Sequence, residues 1–166
     1  MKEARGPIFL VGFMGAGKTT AGKALARLLA WDFIDLDDQI EAAERRTIPE
    51  IFRREGEVYF RRVETDILKS LRGRSRLIVG CGGGTYAQAA TRDLIDAMGR
   101  AVWLQIPLTQ ALARCEEGPA RPLLKSAAQA EALYLSRLPA YRSAPLRVEV
   151  EGLTPDQVAE RIVAVL

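Results

Sequence analysis

Short apolar runs alternate with longer amphipathic stretches along this chain. The apolar runs span residues 8–13, 33–37, 77–81, 101–106 and 146–150. The third and the fourth are almost continuously apolar, which is typical of strands that are buried on both faces of a parallel sheet. Because amphipathic stretches separate these runs, the pattern predicts an α/β fold with a parallel sheet, in which strands alternate with helices.

The stretches between the strands repeat apolar residues every three or four positions, which is the spacing of one helix face. The apolar positions of three such helices are Ala21, Leu25, Leu28 and Leu29, then Phe60, Val63, Ile67 and Leu71, and finally Val158, Ile162 and Val165. Thr47 with Glu50 predicts a capping box at the start of one helix. Thr154 followed by Pro155 predicts the start of the last helix.

The chain has 166 residues, of which 48% are hydrophobic and 27% are charged. This length and composition are those of one globular domain, and they exclude collagen-like, coiled-coil and wholly disordered chains. No repeat or interdomain linker interrupts the pattern, so we expect a single domain over residues 1–166. The net charge of +3 suits an anionic ligand and does not require nucleic acid as a partner.

Two residue types, histidine and asparagine, are absent from the sequence. Their absence excludes histidine general bases, histidine metal ligands and the Asn-Lys-x-Asp motif of GTPases. Cys81 and Cys115 lack the spacing of a zinc site, which favours two reduced thiols in a cytosolic protein. No apolar run reaches the roughly 18 residues of a membrane span, and the first residues lack the apolar core of a signal peptide. We therefore expect a cytoplasmic protein without a membrane partner.

The most specific motif is Gly-Phe-Met-Gly-Ala-Gly-Lys-Thr at residues 12–19, which fits G-x-x-x-x-G-K-[ST] without a mismatch. A predicted strand precedes it and a predicted helix follows it, as in a phosphate-binding loop. Glycines let backbone N–H groups turn toward phosphate oxygens, and the helix N-terminus adds a favourable dipole. Lys18 can bridge the outer phosphates of a nucleotide, and the Thr19 hydroxyl can bind Mg²⁺.

Two carboxylates, Asp35 and Asp37, stand near the end of the second predicted strand. Alternate residues of a strand point the same way, so we expect both side chains on one face, at the sheet edge where ligands bind. One can help to hold hydrated Mg²⁺, and the other can accept a proton from a substrate hydroxyl. A solvated turn that Asp38 extends is the alternative interpretation.

Three consecutive glycines, Gly82, Gly83 and Gly84, follow the third predicted strand. Glycine loses much conformational entropy on folding, so a triplet indicates a specific need for it. Close approach of a ligand to bare backbone N–H groups would meet that need. A flexible connection between strand and helix is the alternative.

Several arginines are candidates for binding an anion. Glu57, Arg61 and Glu64 have a helical spacing that, taken alone, favours an exposed ladder of ion pairs. Arg121 and Arg137, each taken alone, favour solvated surface charges. Together, however, several arginines can clamp a carboxylate and neutralise a phosphate group during its transfer.

In their order along the chain, these motifs resemble those of the shikimate kinase family over almost the full length. The matching segments are residues 12–19 with Gly22, residues 35–37, residues 51–52 and 56–57 with Phe60 and Arg61, residues 82–84, residues 121–124, and Arg137 with Tyr141. Many NTPases share the phosphate-binding loop. The carboxylate pair, the glycine triplet, the Arg-Pro-Leu-Leu segment and the late arginine are much more specific in combination.

The resemblance implies a three-layer P-loop kinase fold, with five parallel strands in the order 2-3-1-4-5 and helices on both faces. It also implies a substrate-binding helical region at residues 35–64 and a lid at residues 116–125. The implied reaction is Mg²⁺-dependent transfer of the γ-phosphate of ATP to the 3-hydroxyl of shikimate, in chorismate and aromatic amino acid biosynthesis. We expect such an enzyme to work as a monomer.

The resemblance also implies a role for individual residues. The implied shikimate-binding residues are Asp37, Arg61, Gly82, Gly83, Gly84 and Arg137. The implied ATP-binding residues are Gly15, Ala16, Gly17, Lys18, Thr19, Thr20, Arg114 and Arg121, and the implied Mg²⁺ residues are Thr19 and Asp35. Within these sets, Lys18, Asp37 and Arg121 are the catalytic candidates, with Asp37 as the base. Arg61 and Arg137 would take the carboxylate of shikimate, and Arg114 would stack on adenine.

Three other functions compete with this interpretation. Another small-molecule P-loop kinase, such as a gluconate or nucleotide kinase, would share the fold and the phosphate site and would differ in its acceptor pocket. A nucleotide-dependent switch would bind partner proteins instead of phosphorylating a metabolite. A basic nucleic-acid binder would need a recognition motif or aromatic residues among its arginines, and this sequence has neither.

Overall fold

The structure is a computed structural model that describes residues 6–116 and 126–166. Residues 117–125 of the predicted lid, including Arg121, and the side chain of Cys115 lie outside the described residues. Among the helices that are described, none combines the length and the apolar character that crossing a membrane would require.

Five parallel strands form one sheet in the order β2-β3-β1-β4-β5, which confirms the predicted topology. The strands are β1 (Ile8–Val11), β2 (Asp32–Asp35), β3 (Leu77–Gly80), β4 (Arg100–Gln105) and β5 (Leu146–Glu149). Every residue of β3 and the four central residues of β4 are buried, as the apolar pattern predicted for these two strands, and every residue of β1 is buried as well. A strand that is buried throughout needs helices over both faces of the sheet, which explains why the chain alternates strands with helices.

Seven helices surround the sheet in the described parts of the chain. They are α1 (Lys18–Leu29), α2 (Leu36–Glu44), α3 (Ile48–Ser70), α4 (Ala89–Met98), α5 (Leu108–Glu116), α6 (Ala127–Arg142) and α7 (Pro155–Val165). The hydroxyl of Thr154 caps α7 in a capping box with Gln157, and the hydroxyl of Thr47 accepts the N–H of Glu50 at the start of α3. Two residues on the predicted apolar faces, Leu28 and Val165, are exposed instead of buried.

The strand order creates a crevice at the carboxyl ends of β1 and β3. From β1 the chain crosses to β2 on one side, whereas from β3 it crosses to β4 on the other side. Ligands bind at such a reversal of direction in open α/β sheets. The glycine-rich loop at residues 12–17 follows β1 and the glycine triplet follows β3, so both predicted motifs lie at this crevice.

The predicted strand at residues 33–37 is too long. Strand β2 ends at Asp35, and Asp37 lies in the first turn of α2. The prediction that Asp35 and Asp37 share one face of a strand is therefore wrong. The physical reason is a helix cap, because Asp35 Oδ1 accepts the backbone N–H groups of Asp37 and Asp38 at 2.9 and 3.3 Å and so starts α2 at once.

Helix α3 is not continuous. Gly56 interrupts it with φ 84° and ψ 175°, so that residues 48–55 and residues 57–70 form two helical segments. Positive φ with ψ near 180° is a backbone conformation that essentially only glycine adopts. The kink separates the two parts of the chain that enclose one of the cavities described below.

Candidate active site

The loop at residues 12–17 joins β1 to α1 and has the form of a phosphate-binding loop. Gly15 and Gly17 have φ values of 82° and 83°, which glycine adopts without strain. The Nζ of Lys18 donates to the carbonyls of Gly12 and Phe13 at 2.6 and 3.0 Å, so its ammonium group lies against the loop. The hydroxyl of Thr20 donates to the Gly17 carbonyl at 3.1 Å and fastens the loop to the first turn of α1.

A hydroxyl and a carboxylate meet beside this loop. The Oγ1 of Thr19 donates to Oδ2 of Asp35 at 2.8 Å, and the other oxygen of Asp35 caps α2. Both side chains offer hard oxygen donors of the kind that Mg²⁺ prefers. Within the described parts of the chain, no three His, Cys, Asp or Glu side chains cluster as a metal site. A magnesium ion here would accordingly take few protein ligands, as is usual when phosphates and water complete its shell.

The glycine triplet is packed against the polar side chains of the site. A Cβ added to Gly82 would lie 2.9 Å from Oδ1 of Asp37, and one added to Gly83 would lie 3.0 Å from Nη1 of Arg137. A Cβ on Gly84 would overlap the guanidinium of Arg61. None of the three glycines has positive φ. They are glycines because three side chains occupy the space above them, which is a reason that the sequence alone did not supply.

Two arginines, Arg61 and Arg137, lie over Gly84, and each has a buried nitrogen without a hydrogen-bond partner among the described residues. Arg137 is 5% exposed, and its Nη1 has no hydrogen-bond partner among the described residues. Nε of Arg61 is buried without a partner in the same part of the structure. Burial, together with the positive charge of Arg61, lowers the pKa of the Arg137 guanidinium from its ordinary value. Buried donors of like charge favour an anion that can accept from both, and a carboxylate fits that requirement.

The Glu57, Arg61 and Glu64 ladder is not the exposed ion-pair ladder that the spacing alone favoured. Glu64 is fully buried, and its carboxylate accepts from Nη1 of Arg61 at 3.1 Å and from the hydroxyl of Thr85 at 2.7 Å. These bonds hold the Arg61 guanidinium against the glycine triplet. Thr85, just after the triplet, was missed by the sequence analysis because nothing in the spacing links it to α3.

Tyr141 also contacts the glycine triplet. Its hydroxyl donates to the carbonyl of Gly83, and its ring stacks on Trp103 of β4 with centroids 5.9 Å apart. Burial raises the pKa of Tyr141 to about 12, so the hydroxyl keeps its proton at neutral pH. The thiol of Cys81, just before the triplet, is also kept neutral because burial raises its pKa.

Two adjoining cavities, each of about 480 Å³, open on this crevice. The phosphate cavity is lined by residues 14–21 and also by Cys81, Arg114, Val150, Leu153, Pro155 and Val158. The acceptor cavity is lined by Thr47, Ile48, Pro49, Phe52, Phe60, Arg61, Glu64, Gly84 and Arg137, among others. The two share Met14, Asp35, Asp37, Gly82 and Gly83, so Asp37 stands at their junction.

The far end of the phosphate cavity was only partly predicted. Nη1 of Arg114 donates to the Gly15 carbonyl at 3.0 Å, so this arginine lies beside the loop and lines the cavity, while its stacking on adenine stays a prediction. The apolar residues that follow β5 or lie in α7 and complete the wall were missed. They are Val150, Leu153, Pro155 and Val158. Their apolar character resembles that of any core residue, so the sequence carries no signal that distinguishes them.

The fold and the paired cavities define a class of protein. A phosphate-binding loop that joins a cavity with two convergent arginines and a carboxylate is the arrangement of a P-loop kinase with a small, anionic acceptor. A family profile described as Shikimate kinase matches residues 14–166. The chain belongs to the shikimate kinase family, and it is an enzyme that phosphorylates shikimate with ATP.

Matches to known proteins, which extend along nearly the whole chain, support this assignment. Shikimate kinases of Persephonella marina and Halorhodospira halophila are 38% identical over 156 residues and 44% identical over 163 residues. These matches cover 93% and 96% of this chain, and 95% and 92% of the two relatives. A solved structure of the Acinetobacter baumannii shikimate kinase in complex with shikimate is 39% identical, with a TM-score of 0.92 over 97% of this chain and 92% of that one.

A gluconate kinase was the nearest competing interpretation. A solved gluconokinase from Sinorhizobium meliloti has a TM-score of 0.62 over 98% of this chain and 92% of its own, at 16% identity. That likeness shows a common fold and nothing more. The identity to shikimate kinases is more than twice as high, so the comparisons favour shikimate as the acceptor.

Proposed function

We propose that this enzyme transfers the γ-phosphate of ATP from the phosphate cavity to the 3-hydroxyl of shikimate in the acceptor cavity. The observation that carries the proposal is the position of Asp37 at the junction of the two cavities. A group there can reach both the acceptor hydroxyl and the phosphate that it attacks. The product would be shikimate 3-phosphate, within chorismate and aromatic amino acid biosynthesis.

In this proposal the acceptor cavity recognises shikimate by its two kinds of polar group. Arg61 and Arg137 bind the carboxylate, because their guanidiniums converge and retain buried N–H groups without partners. Asp37 accepts hydrogen bonds from the ring hydroxyls. The triplet Gly82 to Gly84 lines the cavity, and because it carries no side chains the charged groups proposed to bind the ring can lie directly over it.

The nucleotide occupies the phosphate cavity in this proposal. Backbone N–H groups of Gly15, Ala16 and Gly17, together with the first turn of α1, hold the phosphates. The remaining proposed nucleotide contacts are Lys18, Thr19, Thr20 and Arg114, with Arg121 from the lid that lies outside the described residues. The apolar wall formed by Val150 and Leu153 after β5 and by Pro155 and Val158 of α7 supplies a surface for the base.

The donor set of Thr19 and Asp35 fits Mg²⁺, and we assign these two residues to it. The ion, when bound, would neutralise phosphate charge and help to align the outer phosphates of ATP. Asp35 has one oxygen toward Thr19 and the other in the cap of α2, so the helix cap fixes its direction. Asp37 follows in the same turn, which fixes the distance between the metal residue and the proposed base.

The chain's own residues can carry out the transfer without a strong base. Phosphoryl transfer passes through a loose transition state in which negative charge is spread over the phosphate oxygens. Alignment and positive charge therefore contribute more than proton abstraction does. Lys18 and Arg121 supply the charge, and Asp37 orients the hydroxyl and takes its proton late. We also propose that the enzyme is a cytoplasmic monomer.

The first experiment measures ADP release from Mg-ATP by the purified protein. Shikimate, gluconate, AMP and CMP are offered in turn, beside a control without acceptor. We expect ADP to form only with shikimate, with the phosphate on the 3-hydroxyl of the product by ³¹P and ¹H NMR. Turnover with a different acceptor and none with shikimate would overturn the assignment of the acceptor cavity.

A further inference from the structure

Two parts of the lining of the acceptor cavity belong to one helix, α3, which is broken between them. The wall before Gly56 consists of Ile48, Pro49 and Phe52 with the capping residue Thr47, and the wall after it consists of Phe60, Arg61 and Glu64. The rings of Phe52 and Phe60 meet across the kink at 4.7 Å between centroids. The angle at Gly56 therefore fixes how these two parts of the lining are placed relative to each other.

Residue 56 is a glycine because of its backbone conformation and not because a side chain would lack space. Its φ is 84° and its ψ is 175°, which disfavours any other residue. A Cβ added there would meet no atom within 4 Å. A substitution at Gly56 would thus disturb the angle of the kink without creating a clash.

Four residues outside the cavity bridge the kink, and we refer to Glu44, Arg46, Glu55 and Tyr59 as the corner cluster. Arg46 donates through Nη2 to Glu44 at 2.8 Å and through Nη1 to Glu55 at 3.1 Å. The hydroxyl of Tyr59 donates to Glu44 at 2.9 Å. The cluster thereby joins Glu55, immediately before Gly56, to Tyr59, which follows it on the next segment.

The cluster is well placed to hold a fixed angle. The side chains of Arg46 and Glu44 are only 20% and 15% exposed, so solvent weakens their ion pair less than it would an exposed one. Arg62 covers the ring of Tyr59, with its guanidinium carbon 5.1 Å from the centroid. None of the four cluster residues lines the acceptor cavity. Any effect of the cluster on shikimate must therefore pass through the geometry of α3.

We propose that the Gly56 kink and the corner cluster are positioning elements for the acceptor. They set the angle between the wall at residues 47–52 and the helical segment that carries Arg61, and so the fit of the cavity around the substrate. The inference rests on the assignment of this cavity to shikimate under the proposed function. Glu44, Arg46 and Tyr59 act through α3 and touch neither substrate nor nucleotide.

A matched pair of glycine variants tests the kink. Gly56→Ala and Gly73→Ala both place a side chain at positive φ, 84° and 82°, and in both cases the Cβ meets nothing within 4 Å. Both substitutions therefore strain the backbone, but Gly73 lines neither of the two cavities. We expect the Tm to fall in both variants. Only Gly56→Ala should raise the shikimate KM, by about tenfold, with the ATP KM unchanged.

A second pair tests the corner cluster. Arg46→Gln breaks the bridge across the kink, whereas Arg74→Gln breaks an exposed ion pair with Asp32 at the opposite end of the sheet strands. We expect the shikimate KM to rise about tenfold in Arg46→Gln and to stay at the wild-type value in Arg74→Gln. The rise in Tm that saturating shikimate produces should shrink in Arg46→Gln alone. The ATP KM should not change in either variant.

The outcomes separate this inference from the proposed function. A selective rise of the shikimate KM in both Gly56→Ala and Arg46→Gln supports the inference, and a wild-type shikimate KM in either one overturns it. If Gly56→Ala does not fold while Gly73→Ala does, Arg46→Gln decides by the same criterion. Arg61→Ala serves as the reference, because an unchanged shikimate KM in that variant would refute the cavity assignment itself.

Discussion

At the scale of single residues, three charged side chains occupy the space in which side chains at the three positions of the glycine triplet would lie. Asp37 lies over Gly82, Arg137 over Gly83 and Arg61 over Gly84. The sequence predicted both the triplet and the charged residues as parts of one site. It could not predict that each depends on the other, because that relation exists only after α2, α3 and α6 bring these side chains over the residues that follow β3.

Asp37 at the junction of the cavities leads to a prediction about turnover. Asp37→Asn keeps the size of the side chain but removes the charge to which we assign the orientation and deprotonation of the acceptor hydroxyl. We expect kcat to fall by about 10²-fold or more, with the ATP KM nearly unchanged. Steady-state kinetics with both substrates varied checks this. Wild-type turnover in the variant would refute the role of Asp37.

The buried bonds of Arg61 lead to a prediction about acceptor binding. Arg61→Ala removes one of the two guanidiniums, so we expect the shikimate KM to rise by about 10- to 100-fold. It also removes a partner of the fully buried Glu64, so the Tm should fall as well. Arg54→Ala, at an exposed position of the same helix, is the control and should change neither value. Equal shikimate KM values for the two variants would contradict the assignment.

At the scale of elements, the start of α2 shows how a helix cap can position residues of a candidate active site. Alternation along an apolar run predicts a strand through residue 37, but the carboxylate of Asp35 accepts two N–H groups and turns the chain into a helix. The competing signals are local and of similar strength, so periodicity alone cannot decide between them. The predicted roles of Asp35 and Asp37 do not depend on that error, since both still line the two cavities.

The corner between α2 and α3 leads to a prediction about pH and stability. Hydrogen bonds from Arg46 and then Tyr59 lower the pKa of Glu44 below its ordinary value of 4.5. The ionised carboxylate therefore stabilises the fold above pH 4.5, and this contribution is lost as the pH falls through the lower pKa of the folded state.

Accordingly, Glu44→Gln should lower the Tm at pH 7 by about 2–4 °C, and the difference from the wild type should shrink as the pH falls below 4.5. Thermal unfolding followed by circular dichroism across this range checks the prediction. Glu160→Gln, at an exposed position of α7, is the control. A difference that stays constant with pH would show that the charge of Glu44 does not contribute.

At the scale of the whole molecule, the strand order brings distant motifs together. The phosphate-binding loop after β1 and the triplet after β3 meet because the chain reverses its direction of crossing between these neighbouring strands. Motif order and family resemblance predicted this topology. The burial of Glu64 and the kink at Gly56 could not be predicted in the same way. The burial of Glu64 arises from tertiary packing, and the spacing of charges on a helix is the same for an exposed ladder. A glycine inside a helical pattern is compatible with a continuous or a broken helix, so it does not by itself predict the kink.

The shared boundary of the two cavities has a consequence for inhibitor chemistry. Met14, Asp35, Asp37, Gly82 and Gly83 border both spaces, so a tethered compound could place a polyphosphate in one and a carboxylate-bearing ring in the other. Once one half is bound, a short linker holds the other half at an effective concentration in the millimolar range. Two weak fragments would then combine into a tight ligand. A compound whose linker matches the distance between the two cavities at Asp37 would also bind this site in preference to ATP-binding proteins that have no adjoining carboxylate-binding pocket.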